Sequence, residues 1–534
     1  MTESRPDNAT RPDGGGDIAA LARGGRTNFL GFLMRLAARL PFLFIGGRLY
    51  GAPALGRFAS ALVIVELMAM VCTLGEKRGL AQRLSDAEED GDPAHIVSDG
   101  LLTAFLAASA VAIFLWLVPA PMFPSGVYNT TDQLLVLAIP ALALTEILLA
   151  AQAYRYDVGT TVRARAVVEP WTISIGAGAF YYLSRGSGLQ LAYLASIYAA
   201  LATAAWAFFR SYGLPQGWHP NPGRMIALTI RGAPLAAADA IEWGTRRLDI
   251  FILGLFATPT AVGVYYIAQQ VASLPQKLKS SFDPILGPVI TRALKDKDYD
   301  AIARQVCQVG FWITAMQAGI ALALGIPGKA IMGLVGPRFV GGTGALAFLL
   351  AAEVVAAMAV VSEAALIYVA RFRNLMISIS TICLQALLTV GAMLWVDHYR
   401  LPELYRSAGA AVALSLALGA ASLTKAFALS NILQRSINNW RWALVWAAAV
   451  AVAVGEVAIL LPEWAELIFG CPAILAAYGW VIWRRGFGPE DRMLFRKAEA
   501  AVGEAGPIDG SVPAELVKEL ARPPSRAPRK RGER

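Results

Sequence analysis

The sequence predicts an all-α integral membrane protein of about 14 transmembrane helices. It further predicts two six-helix lobes related by a parallel repeat, followed by a C-terminal helix pair. Three observations lead there. The first is composition. Of 534 residues 56% are hydrophobic and only 16% charged, with a mean hydropathy of +0.52, more apolar surface than a soluble globular chain of this length uses. The second is the recurrence of long apolar runs from residue 29 to residue 484, each near or above the ~20 residues that span a bilayer as a helix. The third is internal similarity. Moving Arg39 onto Arg246, a shift of 207 positions, aligns 39–61 (RLPFLFIGGRLYGAPALGRFASA) with 246–268 without a gap. Phe44, Ile45, Gly47, Ala54, Gly56 and Ala61 then meet Phe251, Ile252, Gly254, Ala261, Gly263 and Ala268, and Phe58 meets Tyr265. Apolar bias alone supplies neither a matched arginine nor two matched glycines.

In chain order, residues 1–25 are polar and rich in Gly, Asp and Arg, and read as a disordered tail with no cleavable signal peptide. Apolar segments follow at about 29–49, 53–75, 98–119, 131–152, 166–184, 189–209, 225–256, 261–290, 304–325, 343–369, 373–396, 404–431, 440–461 and 463–484. The shift carries the first segment onto the seventh. Six segments separate them, so both cross in one direction and the repeat is parallel. The resulting organisation is an N-lobe over 26–212, a linker over 213–224, a C-lobe over 225–435, an extra pair over 436–485 and a disordered basic tail over 486–534.

Orientation follows from Lys and Arg in short loops. One alternate set holds Lys77, Arg78, Arg83, Arg155, Arg163, Arg165, Arg210, Arg224, Lys295, Lys297, Arg371, Arg373, Arg435 and Arg441. The opposite set is sparser, and 119–131, 257–261 and 461–463 hold none. The first set, and with it both termini, is expected in the cytoplasm. This placement also accounts for the net charge of +9 without nucleic acid as a partner. The tail ending PSRAPRKRGER reads as a solvated charged segment able to touch anionic membrane lipid.

Metal and disulfide chemistry find little support. Cys72, Cys307, Cys383 and Cys471 are isolated, no C-x-x-C occurs, and His95, His219 and His398 are far apart. No metal site and no cofactor are expected. The D-x-D in 295–299 (KDKDY) resembles a nucleotide-sugar motif, but no loop is long enough to hold a nucleotide-binding domain, so it reads as a solvated turn.

The informative residues are charges inside apolar segments. A charge at bilayer depth costs roughly 2.5–3.5 kcal/mol on insertion scales and normally faces a cavity or a partner. Asp239, Glu242, Arg246 and Asp249 are spaced 3, 4 and 3 apart, one stripe of a helix, and Glu242 with Arg246 can pair along it. Arg39 is the repeat mate of Arg246, and Arg35 lies one turn away. Two readings stand: a structural ion pair between lobes, or a cavity, since four charges on one face exceed what one pair needs. The segment after 261 carries Gln269, Ser273, Lys277, Lys279 and Ser280, with Pro275, Pro284 and Pro288 expected to bend or break it. Its end reads equally as cavity lining or as an interfacial stretch with snorkelling lysines. Glu66, Glu146, Glu169, Glu353, Glu363 and Glu456 are single acids in apolar context. Glu66, Asp239, Glu242 and Asp249 are the candidates for coupling to H⁺ or Na⁺.

Arg247, Asp249, Leu253, Gly254, Gly263, Tyr265, Ala268 and Pro284 form the pattern R-x-D-x-x-x-L-G…G-x-Y…A…P, and Arg48, Gly56, Phe58, Glu66 and Leu74–Gly75 form R-x-x-G…G-x-F…E…L-G. These patterns resemble Wzx-type polysaccharide and O-antigen flippases of the multidrug/oligosaccharidyl-lipid/polysaccharide (MOP) exporter superfamily, over roughly 25–485. The resemblance implies two lobes around a central cavity. It also implies translocation of undecaprenyl-diphosphate-linked oligosaccharide for lipopolysaccharide and related polysaccharides across the bacterial inner membrane. Cavity cations at places comparable to Arg35, Arg39, Arg246 and Lys277, and work beside a polysaccharide polymerase and other assembly proteins, follow from it too. A non-enzymatic transporter is therefore expected. The alternatives are a MATE-like multidrug cation exporter, against which the arginines argue, and a membrane glycan ligase or polymerase. The second is disfavoured by outer loops that reach only about 18 residues, at 325–342.

Overall fold

In a computed structural model of the chain, residues 40–86, 92–155, 157–279, 299–437 and 440–488 are described. Among them every regular element is a helix, as an apolar chain in hydrocarbon requires, because a helix satisfies its own backbone hydrogen bonds. The chain is helical from Leu40 and passes through a π-helical turn at Gly46–Tyr50 into α1 (Gly51–Cys72). There follow α2 (Glu76–Asp86), α3 (Pro93–Leu117), α4 (Ala138–Tyr154), α5 (Glu169–Leu183), α6 (Gly188–Tyr212) and α7 (Pro222–Phe256). The second half continues with α8 (Pro259–Lys279), α9 (Tyr299–Gly325), α10 (Thr343–Val369), α11 (Arg371–His398), α12 (Leu404–Leu433), α13 (Trp442–Ala458) and α14 (Cys471–Val481).

Each of the 14 predicted segments overlaps a helix. Nine helices among the described residues are long and apolar enough to cross a membrane, and α13 is a shorter apolar helix. The 35-residue α7 is not one of the nine, because its apolar stretches are interrupted by Arg231, Asp239, Arg247 and Asp249. At the helical rise it is nonetheless about 52 Å long. It starts where Asn221 accepts from the N–H groups of Gly223 and Arg224 at 2.9 and 3.3 Å and Pro222 takes the first turn.

Two expectations are adjusted. The loop after 75 is not featureless: residues 76–86 form the amphipathic α2, which buries Leu80 and Leu84. Pro275 does not break its helix, since α8 continues to Lys279, and Gln317 of α9 donates to the Pro275 carbonyl at 3.3 Å. A neighbour thus supplies polar contact beside a proline in a spanning helix. Residues 280–298, with Pro284, Pro288 and the KDKDY stretch, lie outside the described residues.

The main core joins the two halves. Phe58, Leu55 and Ala59 of α1 and Ile139 and Leu142 of α4 share one buried cluster with Tyr265 and Val262 of α8 and Leu346 and Leu349 of α10. The seam is α1 against α8, held at backbone contact. A Cβ on Gly56 would overlap the carbonyl oxygen of Pro259, and one on Gly263 would overlap that of Ala52. Under the 207-residue shift Ala52 maps to Pro259 and Gly56 to Gly263. The contact is therefore reciprocal, as it must be where two related units meet across a twofold axis. The matched glycines of the repeat face each other because only glycine allows this approach. On the outer faces Leu117, Trp206, Leu423, Phe427 and Leu460 are exposed, which suits helices standing in lipid.

Candidate functional site

Beside the glycine seam the second repeat carries a polar network with a buried centre. Tyr265 and Gln269 are one turn apart on α8, so both side chains reach the same point on α7. That point is Asp249, which is fully buried. It accepts from the Tyr265 hydroxyl at 2.6 Å, from Gln269 Nε2 at 3.0 Å and from the Ile250 N–H at 2.9 Å. These partners offset the cost of taking a carboxylate out of water. With its amide nitrogen turned to Asp249, Gln269 presents Oε1 to Arg247, whose Nη1 donates at 3.0 Å. Arg247 Nη2 lies 3.9 Å from Glu66 Oε2 on α1. The network thus runs from Tyr265 and Asp249 through Gln269 and Arg247 to a carboxylate of the other repeat.

The equivalent positions of the first repeat are apolar. Arg247, Asp249, Tyr265 and Gln269 map by the same shift to Leu40, Phe42, Phe58 and Leu62. Phe42 and Phe58 are buried and meet ring to ring at 6.3 Å.

Of the sequence-predicted site residues, Arg35 and Arg39 lie outside the described residues, as do the side chains of Glu242, Arg246 and Lys277. Glu66 and Asp249 belong to the network just described. Asp239 does not. It is buried and pairs with Arg78 of α2 at 2.6 Å. Ten residues of helix, about 15 Å, separate it from Asp249, so the predicted stripe has different partners at its two ends.

Two charged sets escaped sequence reading. The first lies along α7, which faces the first half through Arg224–Asp99 at 3.1 Å, Arg231–Asp86 at 3.5 Å, Asp239–Arg78 at 2.6 Å and Arg247–Glu66. Positions 224, 231, 239 and 247 recur every seven or eight residues, which keeps 224 and 231 in line and turns 239 and 247 progressively round the helix. That spacing was the available signal. Asp99 also accepts from the Trp218 indole at 2.9 Å. A cavity of about 260 Å³ opens on this seam, lined by Glu76, Arg83, Asp99, Arg224, Arg231 and small residues of α2 and α7. The second set ties together acids that sequence reading treated singly. Arg165 bonds both Glu146 and Glu169, the latter at 2.7 Å, and Lys77 reaches Glu146 at 3.0 Å. Arg165 was assigned to a loop, so its four-residue spacing to Glu169 went unused, and its contact with Glu146 had no sequence signal. Among the described residues no group of three or more His, Cys, Asp or Glu side chains is placed to hold a metal.

Residues 47–316 match the model of a family described as polysaccharide biosynthesis protein. No curated protein matches the sequence. Solved structures share the fold. The lipid II flippase MurJ in an inward closed conformation aligns with a TM-score of 0.64 at 11% identity, over 85% of this chain and 99% of that one. An inward-facing multidrug resistance MATE family transporter of the MOP superfamily aligns with 0.62 at 14%, over 76% and 99%. A MOP superfamily transporter from Pyrococcus furiosus, described by the reverse polarity of its binding pocket, aligns with 0.56 at 13%, over 78% and 96%. The fold is that of MOP transporters, and the chain is a multi-pass membrane protein.

Proposed function

The chain belongs to the polysaccharide biosynthesis protein family, and on that premise we propose that it is a flippase for undecaprenyl-diphosphate-linked oligosaccharide. It works in the bacterial inner membrane with both termini cytoplasmic, by alternating access of two lobes, and carries out no catalysis. The observation that carries this reading is the part-buried polar network of Glu66, Arg247, Gln269 and Asp249 at the seam between the repeats. Repeat interfaces near the midplane are where transporters of this build hold their cargo. An arginine there suits a diphosphate, whose oxygens match its planar fork. Arg35, Arg39, Arg246 and Lys277 complete the basic cavity in this reading. Glu66, Asp239, Glu242 and Asp249 are the groups through which H⁺ or Na⁺ would couple. The substrate comes from membrane assembly proteins and passes to a polymerase. A cation exporter is the second reading, which the fold alone accommodates equally, but a cavity for cations is expected to be lined by acids without competing arginines.

The test is deletion of the gene, followed by identification of the surface glycan that disappears and of the lipid-linked precursor that accumulates. Loss of one glycan with the precursor trapped on the cytoplasmic leaflet is expected. Unchanged glycans together with sensitivity to cationic drugs would replace the reading with the exporter. Reporter fusions after Asn129 and after Pro259 are expected to register the periplasm.

A further inference from the structure

Four residue pairs join α7 to the first half, and the deepest differs from the rest. Arg224, Arg231 and Arg78 lie 3.1, 3.5 and 2.6 Å from their acids and are about half exposed. Arg247 and Glu66 stand 3.9 Å apart, with side-chain exposures of 23% and 29%. A direct arginine–carboxylate hydrogen bond measures about 2.7–2.9 Å, so this pair is a charge contact without one. Arg247 is nine residues from the end of α7 at Phe256, about 13 Å along the helix and close to half the ~30 Å of a hydrocarbon core. Two part-buried charges there recover little of their desolvation unless each is also hydrogen-bonded. Among the described residues, the hydrogen bond that Arg247 makes is to Gln269.

The amide of Gln269 cannot turn over freely, because its nitrogen donates to Asp249. Asp249 is itself pinned by Tyr265 and the Ile250 N–H. The chain of bonds fixes Gln269 Oε1 toward Arg247 and so fixes which edge of the guanidinium is used. Nη1 is directed at Gln269, and Nη2 is directed across the seam at a carboxylate just beyond bonding reach.

From this we propose that Arg247 binds the diphosphate of the lipid carrier, with Glu66 as the resident anion that the diphosphate displaces and with Asp249 and Gln269 as positioning residues. The assignment rests on the flippase reading and adds to it a specific cation, a competing acid and a relay. A diphosphate carries more charge than a carboxylate and offers paired oxygens to the fork of the guanidinium. It therefore replaces Glu66 at Arg247, and the contact that holds α1 to α7 at this depth is released as substrate arrives.

The experiment uses the full-length protein in phosphatidylcholine nanodiscs, titrated with farnesyl diphosphate, farnesyl monophosphate and inorganic pyrophosphate. The same titration in nanodiscs containing phosphatidylglycerol separates a diphosphate site from one for any anionic lipid. Wild type is expected to prefer farnesyl diphosphate over the monophosphate in both membranes. Arg247→Gln is expected to weaken it about tenfold or more, the loss typical of a charged hydrogen-bonded contact. Arg247→Lys should keep part of the affinity but lose the preference for diphosphate over monophosphate, since the fork is gone. Glu66→Gln should tighten binding, because the competing anion is removed. Gln269→Leu should weaken binding without lowering the melting temperature as far as Arg247→Gln does. If Arg247→Gln does not fold, the double variant Glu66→Gln with Arg247→Gln removes both charges and serves in its place. A folded Arg247 variant that binds farnesyl diphosphate as wild type does, or a Glu66→Gln variant that binds more weakly than wild type, overturns the assignment. Displacement of the diphosphate by phosphatidylglycerol makes the site a general anionic-lipid site and overturns it as well. Wild type that binds no farnesyl diphosphate at all fails the flippase reading itself, a distinct result.

Discussion

The helix pair of the first repeat, 40–62, and that of the second, 247–269, share their backbone approach and differ in what fills it. Both use glycine where α1 and α8 touch, Gly56 in one and Gly263 in the other, each against the carbonyl of the partner repeat. Both place an aromatic ring two residues further on, Phe58 and Tyr265. There the likeness ends. Phe42 packs its ring on Phe58 in the first pair, whereas Asp249 accepts from the Tyr265 hydroxyl in the second. Leu40 and Leu62 stand where the second has Arg247 and Gln269. Packing therefore lives at matched positions, and buried polar groups at positions where the halves diverge. An apolar pair satisfies the first position at no desolvation cost, so under the proposed function the polar set in the second serves the substrate rather than the packing.

The largest effect is expected from breaking what the two pairs share. Gly56→Ala and Gly263→Ala each place a Cβ into a backbone carbonyl. Overpacking a core costs about 1–3 kcal/mol, and more where the backbone must move. Both variants should lose folded protein in membranes and lower the melting temperature in detergent by comparable amounts. Gly344→Ala and Gly391→Ala, where a Cβ meets nothing within 4 Å, should be neutral or slightly stabilising. Tolerance of alanine at one of the two seam glycines would break the reciprocity of the contact.

A smaller effect is expected from making the second pair resemble the first. Tyr265→Phe takes one donor from a buried carboxylate, and Asp249→Ala leaves the Tyr265 hydroxyl and the Gln269 amide without their acceptor. Each should cost about 1–3 kcal/mol. Changing both, as Asp249→Leu with Tyr265→Phe, restores an apolar contact like that of Phe42 with Phe58 and should recover most of the loss, a non-additive result. Glycan display should nonetheless stay low in the double variant. Display at the wild-type level would mean that the polar set is structural after all.

These results separate what was legible in the sequence from what was not. The all-helical class and the order of the helices followed from apolar runs, because a bilayer leaves a spanning chain few other solutions. The repeat was legible in the matched glycines, but that they mark the close approach of α1 to α8 came from the structure. Glu66 and Asp249 stood out as acids in apolar context, and both lie in the network. Arg247 was read only as part of a motif, because its neighbour Arg246 carried the stripe and the repeat match. Nothing local distinguishes two adjacent arginines. What does is the facing helix, where Tyr265 and Gln269 fix Asp249 and through it Arg247. The α7 ion pairs and the Arg165–Glu146 contact were hidden for the same reason. Their partners lie on other helices, and sequence spacing within one helix does not name them.

The mildest effect on the folded protein is expected at a position that cuts across the comparison. Arg39 and Arg246 are matched between the repeats, as packing residues are, yet they are charged, as the diverged residues are. If they hold substrate, positive charge matters first and fork geometry second. Arg39→Lys and Arg246→Lys should then keep partial glycan display, and Arg→Ala at either should lose most of it with the protein still at its normal membrane level. A structural pair gives a different pattern. Arg246→Ala would strand Glu242, one turn back on the helix, and an unpaired charge in the membrane lowers the amount of protein rather than its activity alone. The double variant Arg246→Ala with Glu242→Ala removes both charges and would recover protein and display together. Display and membrane protein level, read side by side for the single and double variants, distinguish the two. The expected result is the first, with the double variant as inactive as the single. Recovery in the double variant would move Arg246 to the packing side of the comparison and leave Arg247 as the cation of this helix that meets the substrate.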